Sequence, residues 1–450
     1  MYVWIYSLLI FIYIVNRLFP TPILSYTVGI FAVIALVISF RKASGLYFRT
    51  GLFFLLSGIA LFIYFGSPWY HFFLHFESMM GLLSFFLMLP FINTLIHIGH
   101  FDTQLNQLLN LKTTNLSQLY MKSSLVSHIL GIFLNVATAP LLVKSLSFSL
   151  NSLQDGIRNR FYTRSLLRAY ALCLTWSPLE VLVSMSIDST NVKYYDIFPI
   201  TLLLAFFFIL IDWALFKNGK SSDLPIPLKN STNINISRVK RKILQLMAML
   251  LMFTLVVSLV DHWIGYGFLF SVVLVIVPFS LLVALSLKKV KQYLSITIPH
   301  WQQRTQNLYN FFFMFLSAGL FVEMVTQTQW VMQIQAFFAH YADQVLVFYL
   351  FIGVYFVFSS LVGFHPLISL ALIIEMLNPV FGQLSAIPTA LVLISCSLAS
   401  GMYSPYNISV SLLSSEMKVN PYRITQWNIG FALCYMFISI SLAYLIHLIA

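Results

Sequence analysis

The sequence predicts an all-α polytopic membrane protein, with about eleven transmembrane helices and two re-entrant hairpins arranged as two inverted repeats. Three observations carry this expectation. Of 450 residues, 60% are hydrophobic and only 8% charged, where soluble domains carry about 25% charged residues. Apolar runs of about 20 residues recur along the chain, each able to cross a hydrocarbon core of roughly 30 Å. The basic residues gather in short connections between these runs, where they act as topology signals and headgroup contacts. In a soluble protein the net charge of +12 would suggest nucleic acid; here it does not.

Eleven spans follow, near residues 2–16, 21–40, 50–66, 81–99, 165–187, 196–216, 243–260, 264–287, 307–325, 385–414 and 424–448. Met1 opens an apolar run without a basic region before it or a small-residue cleavage site after it, so it reads as a retained first span. Cys173, Cys396 and Cys434 lie inside apolar segments, which argues against a disulfide or a cysteine metal site.

Orientation comes from the basic residues. Arg41, Lys42 and Arg49 follow the second span. The loop 217–242 carries Lys217, Lys220, Lys229, Arg238, Lys240, Arg241 and Lys242 against one acid, Asp223. Lys288, Lys289, Lys291 and Arg304 follow the eighth span. All three places are expected in the cytoplasm, which puts the N-terminus inside and the C-terminus outside a plasma membrane.

Two apolar stretches do not fit as simple spans. Residues 118–143 have basic flanks on both sides: Lys112 and Lys122, then Lys144, Arg158, Arg160, Arg164 and Arg168. This stretch should enter from the cytoplasm and return there. Residues 345–378 have flanks without Lys or Arg and should enter from outside. Non-helical backbone at membrane depth is tolerated only where protein or a polar cavity covers it, so two opposed hairpins imply a central polar site.

The two halves share small patterns in one order. Ser123-Ser124-Leu125-Val126-Ser127-His128 has a counterpart in Ser359-Ser360-Leu361-Val362-Gly363-Phe364-His365-Pro366. Trp176-Ser177-Pro178-Leu179-Glu180 has one in Tyr403-Ser404-Pro405-Tyr406-Asn407. The implied organisation is extra helices over 1–49, a first repeat over 50–216, a cytoplasmic linker and connecting helix over 217–263, and a second repeat over 264–450. Inverted repeats with broken helices at the midplane are a recurrent transporter design.

This arrangement resembles the ion transporter superfamily, which includes divalent anion/sodium symporters, citrate and gluconate permeases, arsenite permeases and the large membrane subunits of TRAP transporters. Gly363-Phe364-His365-Pro366 is similar to Gly-x-His-Pro segments of that group. The Ser-Asn-Thr hairpin signature of the dicarboxylate symporters is absent, and Asn135-Val136-Ala137-Thr138 is a loose echo of it. The resemblance implies a secondary transporter that moves a small organic anion by sliding a hairpin-bearing domain against a scaffold.

The candidate site residues are Ser123, Ser124, His128, Ser177, Pro178, Glu180, Ser359, Ser360, Gly363, His365, Ser404, Pro405 and Asn407. Pro178 and Pro405 break their helices, freeing carbonyls for a cation and helix N-termini for an anion. Glu180 is an ionisable group at membrane depth, which marks a cavity, a relay or an ion site. Asn407 stands at the same offset as Glu180 in the other half. Its alternative role is an interhelical hydrogen bond. His365 and His128 could bind an anion or carry a proton, or serve as satisfied packing groups. Asp212 and Glu375 lie near span ends and read as interfacial, with Glu323 a minor candidate.

No nucleotide-binding or hydrolase motif is present. The alternatives to a Na⁺- or H⁺-coupled transporter are a membrane-embedded enzyme acting on a lipid-linked substrate, with His365 and Glu180 as acid and base, and a permease subunit needing a partner. Expected partners are a small-molecule solute and membrane lipid, with a homodimer left open and no nucleic acid. No cofactor is called for beyond a bound Na⁺. Single cysteines placed in a cysteine-free background check the topology. Those within 217–242 should resist impermeant maleimide in intact cells, and those within 326–344 should react; the reverse pattern would overturn the orientation.

Overall fold

The computed structural model describes residues 2–110, 113–219, 221–226, 236–341 and 343–449. Lys112, Lys220 and Lys229 of the basic flanks lie outside these residues. Among the described residues there is no strand, only helices and their connections, as composition requires. In hydrocarbon every backbone group must find a partner within the chain, and helices achieve this locally.

In chain order the helices begin with α1 (Tyr2–Leu18), α2 (Pro22–Phe40), α3 (Gly45–Phe65), α4 (Met80–Ile98) and α5 (Phe101–Gln107). Next come α6 (Leu116–Leu134), α7 (Thr138–Leu150), α8 (Asp155–Tyr162), α9 (Ala169–Leu174), α10 (Val181–Thr190) and α11 (Tyr194–Lys217). The second half has α12 (Ile236–Ile264), α13 (Phe268–Ser286), α14 (Val290–Gln306), α15 (Tyr309–Val325), α16 (Gln329–His340), α17 (Val345–Val362), α18 (Pro366–Leu377), α19 (Ala386–Tyr403), α20 (Ile408–Met417) and α21 (Pro421–Ile449). By length and apolarity, 11 helical stretches could cross a membrane, or up to 12 if the bent pair α14–α15 is one span. The number agrees with the sequence expectation, but the membership differs. The hairpin stretches pass this test, whereas α1 is shorter and α9–α10 is interrupted.

The chain forms two compact units. One holds 1–95, 259–340 and 371–380; the other holds 96–258, 341–370 and 381–450. Each draws on both of the sequence repeats. In the first unit, α3 packs on α15 through glycines: the place of a Gly51 Cβ is taken by the Phe313 ring, and that of Gly58 by Leu320. Small residues let backbones approach where lipid removes any hydrophobic drive. On α2, a Cβ at Gly29 would stand 1.9 Å from the Phe73 carbonyl oxygen. Tyr6 stacks on Phe312 at 3.8 Å and hydrogen-bonds Ser39 at 2.6 Å, joining α1, α2 and α15.

The second unit holds the first hairpin and, of the second, the arm and bend up to Leu370. α6 runs alongside α8–α9 in the same direction. Ser127 Oγ donates to the Leu166 carbonyl (2.9 Å), His128 Nδ1 to that of Ala169 (3.0 Å), and Gly131 packs on Cys173 and Tyr170. α7 then runs back. Tyr170 reaches Asn135, while Tyr162, two turns earlier on the same helix, reaches the Val143 carbonyl at 3.5 Å. A straight continuation would instead carry Val143 about 12 Å beyond Asn135. Residues 116–150 are therefore a hairpin with its bend at Asn135–Ala137, although they form a nearly unbroken run of helical turns.

The second hairpin bends at Gly363–His365. Tyr355 Oη donates to the Ser369 carbonyl at 2.8 Å, a pair that a straight helix would hold about 21 Å apart. α17 runs with α19, as Tyr349 meets Thr389 and Ser360 meets Tyr403. The two hairpin sets point in opposite senses. α11 opposes α8–α9, because Asp212 meets Arg168 and Tyr194 meets Trp176. α21 opposes α11, with Phe208 against Phe431 and Leu203 in one groove with Leu442. α19 opposes α21, through Tyr403–Thr425 and Ser385–His447.

Replacing Gly29 with Val should lower stability by about 2 kcal/mol, since backbone rather than a flexible side chain stands in the way. Gly156→Ala, on open helix surface, is the control. Thermal melts in detergent read both.

Candidate functional site

Each hairpin stands beside a broken helix. In the first set, α8 passes through a π-helical stretch, Thr163–Arg168, into α9 and ends at Leu174. Residues 175–180 form the break around Pro178, which lacks an N–H and cannot continue the ladder. Ser177 N donates to the Leu174 carbonyl (3.1 Å), and Ser177 Oγ accepts from Leu179 N (3.2 Å). Glu180 then caps α10: its carboxylate accepts from Leu182 N at 3.4 Å, and the side chain is buried. A carboxylate at a helix N-terminus satisfies an orphan donor and complements the dipole.

The second break is built the same way. α19 ends at Tyr403, and Pro405 lies in the turn. Asn407 caps α20, accepting from Ser409 N (3.1 Å) and Ser409 Oγ (2.8 Å). Ser404 Oγ donates to the Ser360 carbonyl (2.8 Å), and Ser360 Oγ pairs with Tyr403 Oη (2.8 Å). Ser404 and Ser360 therefore tie this break to the end of the hairpin arm beside it. Ser359 donates to its own helix, to the Phe356 carbonyl.

The hairpin tips differ. Asn135 adopts φ +49° and ψ −135°, a positive-φ conformation outside the left-handed helical region and uncommon for a residue with a Cβ. Its Oδ1 accepts from Val136 N and from Tyr170 Oη, so the first tip is hydrogen-bonded to the helix ahead of the break. Thr138 Oγ1, one residue beyond the bend, is buried without a hydrogen-bond partner. At the second tip Gly363 has φ +108°, and the Tyr406 ring sits 3.5 Å from where a Cβ would stand. Pro366 begins α18, where its missing N–H costs nothing. His365 Nδ1 accepts from Leu367 N at 3.3 Å and so caps α18.

Several sequence expectations change here. The Ser123–His128 and Ser359–Pro366 stretches are not equivalent in space. Ser123 and Ser124 sit in the middle of α6, eleven or more residues before the bend, whereas Ser359 and Ser360 end their arm. A short match in Ser- and Leu-rich helices carried no positional information, and the true first tip is Asn135–Ala137. Ser123 Oγ is bonded to the Leu119 carbonyl at 2.7 Å, and Ser124 Oγ is buried without a partner. His128 has both ring nitrogens engaged, since Nε2 accepts from Trp176 Nε1 at 3.1 Å. It locks α6 to the break and presents nothing to a solute. The carbonyls freed at the second break are also occupied: Gly401 by Ser409 Oγ, Met402 by Asn428 Nδ2 and Tyr403 by Thr425 Oγ1. They are not open to a cation as they stand.

Asp212 is not a surface carboxylate but a buried partner in a network. It is 2% exposed and accepts from Arg168 Nη1 and Tyr120 Oη, both at 2.6 Å. Arg168 also donates through Nε to Asn428 (2.9 Å) and through Nη2 to the Trp427 carbonyl (3.0 Å). This network binds α6, the π-helical stretch, α11 and α21. The missed signal was Arg168 itself, a charge inside the apolar run Leu166–Leu174; such a residue demands a named partner. Glu375 is partly exposed on α18, and Glu323 faces His75 at 3.9 Å. Among the described residues, no three His, Cys, Asp or Glu side chains gather as a metal site.

No family model and no curated protein matches the chain. Solved structures do. The YdaH transporter of Alcanivorax borkumensis, reported to have an unusual topology, is similar with a TM-score of 0.55 and 11% identity, over 88% of this chain and 96% of that one. The chain has the fold of a membrane transporter. The likeness does not single out the ion transporter superfamily.

Removing one partner of the Arg168–Asp212 pair should cost about 3–5 kcal/mol, because a buried charge is left alone. Asp212→Leu and Arg168→Met should each melt well below the wild type, and the double variant should recover much of the loss. A double variant no more stable than the worse single one would show that the pair is not the unit.

Proposed function

We propose that the chain is a secondary active transporter of a small organic anion, coupled to Na⁺ or H⁺. In this reading the solute site lies at the first hairpin tip and the two capped half-helices of the second compact unit. The observation that carries the reading is the matched construction of the breaks. Two hairpins running in opposite senses each accompany a helix broken at Ser-Pro, and each break ends on a side chain capping a new helix, Glu180 or Asn407. This is what an inverted repeat with a polar centre would produce. The fold likeness to a solved transporter supports the same class.

Within this reading the residues divide by chemistry. α10 and α20 present helix N-termini that favour a carboxylate or similar anion. Glu180 supplies the titratable group, and Asn407 is its neutral counterpart. Asn135 and Thr138 place polar oxygens at the first tip, and Thr138 has no internal partner. Because the carbonyls at the second break are already bonded, a coupling cation would draw on side-chain oxygens or displace one of those bonds. A bare carboxylate left charged and unpaired in a dry site costs several kcal/mol, so Glu180 must meet a cation or take a proton during the cycle.

Glu180→Gln keeps the cap and removes the titration. Purified wild-type protein should gain thermal stability with rising NaCl over KCl, or shift with pH, because a bound ion stabilises by mass action, about 2.7 kcal/mol at a hundredfold excess over Kd. The variant should fold and lose that response. Identical responses from the two proteins would remove Glu180 from the coupling role. A wild type insensitive to Na⁺ and to pH would remove the ion-coupled reading itself.

A further inference from the structure

A second polar feature lies away from the hairpin tips. Between the C-terminal end of α11 and the N-terminal end of α21 is a cavity of about 460 Å³, whose lining includes Arg164, Arg168, Asp212, Gln426 and Trp427. Two arginines face one aspartate there. Arg168 has each of its three guanidinium nitrogens hydrogen-bonded within the protein. Arg164 does not: its Nε is buried and makes no hydrogen bond. Arg160 lies over the Trp427 ring at 5.9 Å, so a third guanidinium stands beside the same wall. A buried N–H donor without a partner costs free energy, and a cationic donor set without an acceptor invites an anion.

The same two helices carry a different cavity further along. It measures about 590 Å³ and is lined by Leu203, Leu204, Phe207, Leu442, Leu445 and neighbouring residues of α11 and α21, nearly all apolar. Leu203 is 69% exposed and Leu445 55% exposed. Both cavities lie between the same two antiparallel helices, one after the other along them. Nine residues separate Asp212 from Leu203, about 14 Å along the helix. That is close to one leaflet of hydrocarbon, about 15 Å.

We propose that the α11–α21 groove is a binding site for an anionic phospholipid, with the headgroup phosphate on Arg164 and one acyl chain along Leu203, Phe207 and Leu442. A polar, cationic pocket followed at leaflet distance by an apolar slot matches the two ends of that one molecule. Basic pockets between transmembrane helices on the cytoplasmic side are a known way of holding acidic headgroups, and the basic-residue asymmetry assigns this end of α11, at Lys217, to the cytoplasm. The shared chemistry with a free phosphate is the oxyanion on Arg164; the apolar slot is what commits the site to lipid.

The test uses the full chain in detergent, with lipid retention read by native mass spectrometry and stability by thermal melts. Phosphatidylglycerol, phosphatidylcholine and inorganic phosphate are the three probes. Wild-type protein should retain and be stabilised by phosphatidylglycerol over phosphatidylcholine, and inorganic phosphate should do neither. Arg164→Gln should weaken phosphatidylglycerol retention about tenfold, the effect of one charge-assisted hydrogen bond, while melting like wild type in lipid-free detergent. Leu203→Trp fills the slot from an exposed position and should weaken retention without touching the arginine. Should Arg164→Gln fail to fold, the Leu203 variant still decides. Stabilisation by inorganic phosphate equal to that by lipid would make this a soluble-anion site and overturn the lipid assignment. Retention unchanged in both variants would overturn the site altogether.

Discussion

Everything in this protein answers to one constraint: hydrocarbon offers no hydrogen-bond partners, so each interruption of a helix must be repaired from within the chain. The second compact unit interrupts its helices at two hairpin bends and two breaks. The repairs are individual. Tyr170 takes the Asn135 side chain, Glu180 and Asn407 cap new helices, Ser404 bridges to the hairpin arm, and Thr425, Asn428 and Ser409 cover three freed carbonyls. Irregular backbone of this kind is tolerated at membrane depth only where protein covers it or it lines a polar cavity.

The class of the fold was legible because its signal is additive. Twenty apolar residues make a span almost regardless of order, and Lys and Arg sort the ends. The two Ser-Pro breaks were legible too, because proline removes a donor wherever it stands. The hairpin tips were not read evenly. Gly363 next to His365-Pro366 announces a turn by residue type. Asn135 does so weakly, since asparagine is also common on helix surfaces, and the Ser123-Ser124 match drew attention to the wrong turn of α6. His128 illustrates a further limit: a histidine is equally plausible as ligand or as bracket until the partners of both nitrogens are visible, and here they are Trp176 and the Ala169 carbonyl.

The buried ion pair shows why long-range partners escape sequence reading. Arg168 and Asp212 lie 44 residues apart, in segments that each look like a span with a charge near one end. Only the antiparallel packing of α11 on α8–α9 brings them level. The π-helical stretch that ends at Arg168 adds a residue to the turn and so changes which face the guanidinium occupies. A regular α-helix through Thr163–Arg168 would point the charge elsewhere, so the local irregularity and the distant aspartate must be explained together.

The three cysteines carry a practical consequence. Cys173 and Cys396 are buried, and Cys434 is exposed and lines the polar cavity between α11 and α21. Thiol chemistry proceeds through the thiolate and needs access. The native chain therefore presents one accessible thiol, placed in the wall of that cavity. A membrane-permeant fluorophore attached there would report on its surroundings with a stoichiometry of one per chain. Its emission would distinguish an occupied groove from an empty one with no residue replaced.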